Sequence, residues 1–83
     1  MKLVELRADL QTYLHERQLI IKWKKSAKLF EANIRHPSLN TELLQPHWRG
    51  IYSFRIDRKY RAHFFITPKG DAEVFLITNH YKK

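Results

Sequence analysis

The sequence predicts a single α+β domain in which two N-terminal helices pack on one face of a small antiparallel sheet. Apolar residues in the first half recur every three or four positions, as they do on one face of a helix. In the second half they alternate with polar residues, as they do along a half-buried strand. Helices followed by a run of strands are typical of α+β proteins. With 83 residues there is room for one domain only, so we assign residues 1–83 to it.

The helical half contains two apolar stripes. The first comprises Leu6, Leu10, Tyr13 and Leu14. The second comprises Ile20, Trp23, Ala27, Phe30 and Ile34. The two stripes are out of phase, because a continuous helix would turn Arg17 and Lys24 towards the core. We therefore expect two helices that break near Gln18, although no Gly or Pro marks the break. Residues 1–6 could form a short strand before them.

The strand half begins after a loop. Residues 33–50 contain Pro37, Pro46 and Gly50 and predict a long loop with room for one turn of helix. Alternation then predicts strands over residues 52–56, 60–66 and 72–78, joined by turns at residues 57–59 and 68–71. The same alternation places Arg55, Arg61 and His63 on the sheet face that the helices leave open. We expect that face to display them to solvent.

The charge of the chain predicts an anionic partner. Sixteen Lys and Arg residues against eight Asp and Glu residues give a formal net charge of +8. The excess is spread along both halves of the chain, which places it on a folded surface rather than on a tail. Such a surface attracts polyanions, of which nucleic acid is the commonest in a cell. An anionic membrane surface and an acidic protein are the alternatives.

Other classes of protein are disfavoured by composition. The chain has no cysteine, which excludes disulfides and thiolate metal sites and fits a reducing compartment. Its five histidines show no HxxxH or HExxH spacing, so we expect no metal and no cofactor. No apolar run has the length of a signal peptide core or a membrane span. We therefore expect a cytoplasmic protein.

Three motifs occur in order along the last 50 residues. They are Arg35-His36-Pro37-Ser38-Leu39-Asn40-Thr41-Glu42-Leu43-Leu44, then Gly50-Ile51-Tyr52-Ser53-Phe54-Arg55-Ile56 with Arg58-Lys59-Tyr60-Arg61, and finally Ile77-Thr78-Asn79-His80-Tyr81. Together they resemble the RelE/ParE superfamily of toxins from type II toxin–antitoxin systems, and most of all its YoeB/RelE branch. That branch cleaves messenger RNA on the ribosome. The resemblance covers the helical half only by pattern.

The resemblance implies a metal-independent endoribonuclease and a catalytic set. Glu42 matches the general base, Arg61 the cation at the phosphate, and His80 the general acid. Tyr81 matches the residue that aligns the nucleotide or assists proton transfer. Because Arg55 shares the predicted face of Arg61, it is a candidate second phosphate contact. Each of these residues also has an ordinary alternative role, as a solvated side chain or a structural anchor.

The implied partners are a cognate acidic antitoxin, mRNA and the ribosome. On the second helix, Lys24, Lys25 and Lys28 are candidate contacts to ribosomal RNA, with a solvated helix face as the alternative. Two other functions stay open. One is inhibition of DNA gyrase without catalysis, as in the ParE branch. The other is a nucleic-acid-binding module without chemistry.

Overall fold

The computed structural model describes residues 1–79, in which two α-helices pack against a four-stranded antiparallel sheet. The helices are α1 (Ala8–Glu16) and α2 (Ile20–Ala32). The strands are β1 (Glu42–Leu43), β2 (Tyr52–Arg55), β3 (Tyr60–Ile66) and β4 (Ala72–Asn79), in the spatial order β1-β2-β3-β4. The predicted α+β class is confirmed.

The break between the helices lies where the apolar phase predicted it. Gln18 adopts the left-handed conformation, with φ 57°. Its N–H donates to the carbonyl of His15, and the N–H of Leu19 donates to the carbonyl of Leu14 at 2.8 Å. This pair of bonds is a Schellman motif, which ends a helix and satisfies its last carbonyls. Leu14 and Leu19 are both buried, so the apolar contact that accompanies the motif anchors the turn in the core.

Aromatic residues from α2 and the sheet form the centre of the core. Phe30, Phe54 and Phe64 are each fully buried, and the Phe30 ring centroid lies 4.8 Å from that of Phe54. Trp23 stacks on Phe54 at 5.8 Å, so its predicted core role is confirmed. Burial of such rings dominates the stability of a small domain. The helices therefore cover the face that carries Phe54 and Phe64.

The segment expected to be one long loop has more structure than predicted. It contains 3₁₀ turns at Pro37–Leu39 and His47–Arg49, and between them the edge strand β1. Glu42 of β1 pairs with Ser53 of β2. A strand of two residues is too short to show an alternation of apolar and polar residues. The sequence therefore predicted the first strand of the sheet only from residue 52.

The N-terminal segment forms one parallel bridge rather than a full strand. Leu3 pairs with Ala72 at the start of β4, through bonds from the Ala72 N–H to Lys2 and from the Val4 N–H to Ala72, each 2.8 Å long. The Leu3 N–H donates to the carboxylate of Glu31, near the end of α2. The N-terminal segment is thus tied to both the sheet and a helix.

The β2–β3 hairpin turn is held by a side chain. The Asp57 carboxylate accepts the N–H groups of Lys59 and Tyr60, each at 2.8 Å, and its other oxygen lies 3.2 Å from the Lys22 ammonium. Burial acts to raise the pKa of Asp57, but these N–H groups and Lys22 outweigh it and hold the pKa below its usual value. The predicted turn is confirmed, and it is coupled to the start of α2.

Candidate functional site

The register of the sheet brings the predicted polar residues of β1, β2 and β3 onto one face. Glu42 pairs with Ser53, Ser53 pairs with His63, and Arg55 pairs with Arg61. Residues paired across a sheet point to the same side, so all five share the face opposite the helices. The predicted face of Arg55, Arg61 and His63 is therefore correct.

The expectation that this face displays Arg61 to solvent is wrong. Arg61 is only 2% exposed, whereas its partner Arg55 is exposed. The Arg61 side chain lies across β2 instead of projecting outward. Its Nε donates to Ser53 Oγ at 2.9 Å, and its Nη2 donates to the carbonyls of Asn40 at 2.7 Å and Ser53 at 3.2 Å. Alternation along a strand predicts the face of a side chain, but not the neighbours that cover it.

One nitrogen of the Arg61 guanidinium has spare hydrogen-bonding capacity. Nη1 is buried and has no hydrogen-bond partner among residues 1–79. A buried donor left without an acceptor destabilises a fold by about 1–3 kcal/mol, so it is rarely retained without a compensating role. Guanidinium groups bind carboxylate and phosphate oxygens in pairs. Arg61 is a fixed cation with donors to spare.

Glu42 lies directly beside this cation. Its carboxylate Oε2 is 3.4 Å from Arg61 Nη2, and half of the Glu42 side chain is exposed. Burial lowers the pKa of Arg61, the charge of Glu42 raises it, and the charge of Arg55 lowers it, with a net decrease. Arginine nevertheless stays protonated in proteins. The structure thus joins Glu42, Arg55 and Arg61 in one electrostatic unit.

A concave surface opens next to Glu42. The cleft has a volume of about 400 Å³, and Arg35, His36 and Tyr52 also line it. His36 accepts the N–H of Ser38 through Nδ1, which fixes the first 3₁₀ turn at the cleft wall. A cleft of this size is within the range of small-ligand sites, which begins near 300 Å³.

Two members of the predicted catalytic set, His80 and Tyr81, lie outside the described residues. The strand that precedes them in the sequence passes Arg61, because Thr78 of β4 is its pairing partner on that side. The roles of all four residues stay predictions.

The three predicted lysines of α2, Lys24, Lys25 and Lys28, are all exposed. Lys25 lines a cleft with Arg55, whereas Lys24 lines a separate cleft with His15. A fourth lysine of this helix, Lys22, also lines the cleft with Arg55.

Several residues that matter to the site were not singled out in the sequence. Ser53 and Asn40 accept hydrogen bonds from the Arg61 guanidinium. The contact with Ser53 could have been predicted, because a hairpin with its turn at residues 57–59 makes Ser53 a diagonal cross-strand neighbour of Arg61. A large apolar side chain such as that of Trp48 is expected from the sequence to anchor the core or a loop. Trp48 is instead 85% exposed, so this expectation is wrong.

Within residues 1–79, no three His, Asp or Glu side chains lie close enough to hold a metal ion. None of the helices described there has the length and apolar character to cross a membrane.

Comparison with known proteins supports the fold. The structure is similar to that of a YoeB/ParE toxin from Agrobacterium tumefaciens, with a TM-score of 0.69 and 20% sequence identity over 98% of this chain and 100% of that chain. No family model matches the chain, and no curated protein sequence matches it. At this identity the likeness shows the fold alone, and the fold that the resemblance implied is confirmed.

Proposed function

We propose that this chain is the toxin of a type II toxin–antitoxin pair and that it cleaves mRNA at the ribosomal A site in the cytoplasm without a metal ion. The observation that carries the proposal is the pairing of a half-exposed carboxylate, Glu42, with a buried cation, Arg61, whose Nη1 has no acceptor in residues 1–79. The pair lies on a fold that is shared with a YoeB/ParE toxin. A purely structural arginine would be expected to have all its donors paired.

The proposed reaction is attack of a ribose 2′-oxygen on the adjacent phosphorus. Glu42 accepts the 2′-hydroxyl proton, and the new bond joins the 2′-oxygen to phosphorus. The bond from phosphorus to the 5′-oxygen breaks, and His80 protonates that oxygen as it leaves. Arg61 stabilises the charge that grows on the phosphoryl oxygens between these events. The products are a 2′,3′-cyclic phosphate and a 5′-hydroxyl.

The geometry of Arg61 favours this role because the cation is already in place. Its three hydrogen bonds to Ser53 and Asn40 fix the guanidinium before any substrate binds. A preorganised charge needs no rearrangement during the reaction. In the structure, the Glu42 carboxylate supplies an anion beside Arg61, and its exposure leaves it free to turn towards a substrate.

The remaining partners follow from the charge and the resemblance. Arg55 is proposed as a second phosphate contact, with Tyr81 aligning the nucleotide and Lys24, Lys25 and Lys28 binding ribosomal RNA. A surface with a net charge of +8 also attracts an acidic antitoxin, which would fold on contact.

The test compares His80→Gln with the wild-type protein in single-turnover cleavage of A-site mRNA, mapped by primer extension. General acid catalysis contributes about 10²–10⁴-fold, so we expect a rate loss in that range with ribosome affinity unchanged. The matched control is His15→Gln, the same change at an exposed histidine of α1, which should cleave normally. In a separate test, co-expression of a neighbouring gene that encodes a small acidic protein, the expected antitoxin, should abolish toxicity.

One result would contradict the proposed mechanism, and another would overturn the proposed function. Full activity of His80→Gln would remove the acid assignment. A wild-type protein that cuts no RNA but blocks supercoiling by gyrase would instead be a ParE-like inhibitor.

A further inference from the structure

A second group of cations lines the surface between the α1–α2 turn and the β2–β3 hairpin. Arg17, Lys22, Arg58 and Lys59 line a cleft of about 660 Å³ there. A neighbouring cleft of about 380 Å³ shares Lys22 and Arg58 and adds Lys25 and Arg55. We call these six residues the basic track.

The basic track leads to the candidate site. Arg55 lies at the end of the track that is nearest to Arg61, and the two residues are paired across β2 and β3. The charge of Arg55 helps to lower the pKa of Arg61. Arg58 and Lys59 follow in the hairpin turn between them. Cations from the α1–α2 turn, α2, β2 and the β2–β3 turn therefore line two adjoining clefts rather than a scattered surface.

Four of the six cations of the basic track are available for a partner, because in the described part of the chain only Arg17 and Lys22 are ion-paired, with Glu16 and Asp57. Among residues 1–79, Lys25, Arg55, Arg58 and Lys59 form no ion pair, and each is exposed. Asp57, the one carboxylate that lines either cleft, is already engaged by Lys22 and by the hairpin turn. Arg17 is held in position because its guanidinium lies 3.7 Å from the centre of the Tyr13 ring.

The lining favours a phosphodiester backbone over an acidic protein. Protein interfaces centre on apolar and aromatic side chains. The larger cleft has few: Leu19 is 3% exposed, and Tyr60 is half-buried. The apolar side chains of the smaller cleft are likewise buried or half-buried, and they are Leu29, Leu39 and Ile56. A nucleic-acid backbone needs only a line of cations, and a single strand can follow a curved groove.

We propose that the basic track binds the RNA strand that flanks the reacting phosphate. The inference rests on the proposed function in one respect, namely that the strand bound here is the one that is cut. Binding itself is measurable without cleavage.

The experiment measures anisotropy of a short fluorescein-labelled single strand whose 2′-hydroxyls are all 2′-O-methylated, so that it cannot be cut. The variant is Arg58→Ala with Lys59→Ala, and the matched control is Lys2→Ala with Lys69→Ala, two exposed lysines near the other end of β3. Each lost contact to a single strand reduces the slope of log K against log[salt] by about 0.7. The slope of the variant should therefore be smaller by about 1.4, and its binding about 25-fold weaker near 0.1 M salt. The control protein should keep most of the wild-type affinity for the oligonucleotide. Thermal melts should show that the wild-type protein and both variants are folded.

Three outcomes would overturn the inference. The first is an unchanged salt dependence of binding in the variant, and the second is an equal loss of affinity in the control. The third is that polyglutamate binds the wild-type protein as tightly as the oligonucleotide does and loses as much affinity in the variant. The last would assign the surface to an acidic protein. Cleavage of unmodified mRNA by the wild-type protein is measured in parallel. Failure to cut would remove the proposed function and leave the binding result standing.

Discussion

Arg61 and Arg58 are three residues apart in the sequence, but the fold uses their guanidinium groups in opposite ways. Arg61 is 2% exposed and makes three hydrogen bonds to Ser53 and Asn40. Arg58 is exposed in a turn and forms no ion pair among the described residues. The guanidinium of Arg61 is fixed in one geometry and has lost most of its hydration, whereas that of Arg58 stays hydrated and can change conformation.

The difference separates two uses of positive charge. A buried, fixed cation acts on one group at one position, because low polarity strengthens its field and its geometry is set. Exposed cations act at longer range and are screened by salt. We therefore expect substitution of Arg61 to change the rate of cleavage, and substitution of exposed cations such as Arg58 to change the affinity for RNA and its salt dependence.

The largest effect is expected for Arg61→Met. Methionine fills a similar volume without a charge, so cleavage should fall about 10²–10³-fold, as for the loss of one preorganised donor. Replacement of one member of a buried ion pair is costly when the other charge is left buried. The Glu42 side chain is half exposed and can be solvated, so the free energy of unfolding should change by less than about 2 kcal/mol. Single-turnover kinetics and urea unfolding measure the two quantities.

Ser53→Ala is the matched control for that prediction, since it removes the acceptor of Arg61 Nε and keeps the cation. Its rate loss should be smaller. If Arg61→Met cleaves normally, or if it unfolds while Ser53→Ala does not, Arg61 is structural and the contrast with Arg58 disappears.

A smaller effect, on stability, is expected for Asp57→Asn at the wall of the basic track. Asparagine can still accept the turn N–H groups but has no charge for Lys22, so the variant should be about 1 kcal/mol less stable at pH 7. The pKa of Asp57 is lower in the folded state. Its ionised form therefore stabilises the fold above the unfolded pKa of about 3.9, and this contribution is lost as the pH falls through the folded pKa.

Urea unfolding from pH 7 down to pH 3 should show the difference between wild type and Asp57→Asn closing at the acid end. Asp71→Asn, in the other hairpin turn, is the control, and its difference should stay small throughout. A constant gap for Asp57→Asn would show that the ionised carboxylate is not the stabilising species. RNA binding should increase in the Asp57 variant, because a negative charge leaves the basic track.

The smallest effect is expected for Gln18→Gly on the opposite wall of the same cleft. A left-handed residue with a Cβ loses about 1–2 kcal/mol, and glycine loses about 0.5–1 kcal/mol in chain entropy, so the net gain is about 0.5–1 kcal/mol. For a domain of this size the melting temperature should rise by about 4 °C. Gln18→Ala keeps the strain and should show no gain, and cleavage should be unchanged in both. No rise in Gln18→Gly would mean that the turn is not strained.

The sequence was informative where a periodic signal existed. The phase of the apolar stripes placed the helix break at Gln18, and alternation placed Arg55, Arg61 and His63 on one face. It failed where structure depends on cross-strand neighbours. Burial of Arg61 requires the diagonal Ser53 and the Asn40 carbonyl, which no pattern within β3 reveals.

The candidate site was predictable in part for the same reason. Glu42 and Arg61 were linked only through the family resemblance, and the structure places them 3.4 Å apart. The edge strand that carries Glu42 is too short to give a periodic signal. Arg58 and Lys59 were assigned to a turn, and nothing in that assignment indicated that Lys22 and Arg17, from distant sequence, would line a cleft with them.

The bridge between Leu3 and Ala72 sets an order for folding during synthesis. Leu3 is synthesised nearly 70 residues before Ala72, its pairing partner. The two helices, whose bonds are local, can form while the chain is still growing. The sheet edge cannot close until β4 emerges, and until then the apolar face of α2 that ends at Phe30 has no complete sheet to cover it. Assembly of the sheet with its N-terminal bridge therefore waits for β4, which follows all the other described elements along the chain.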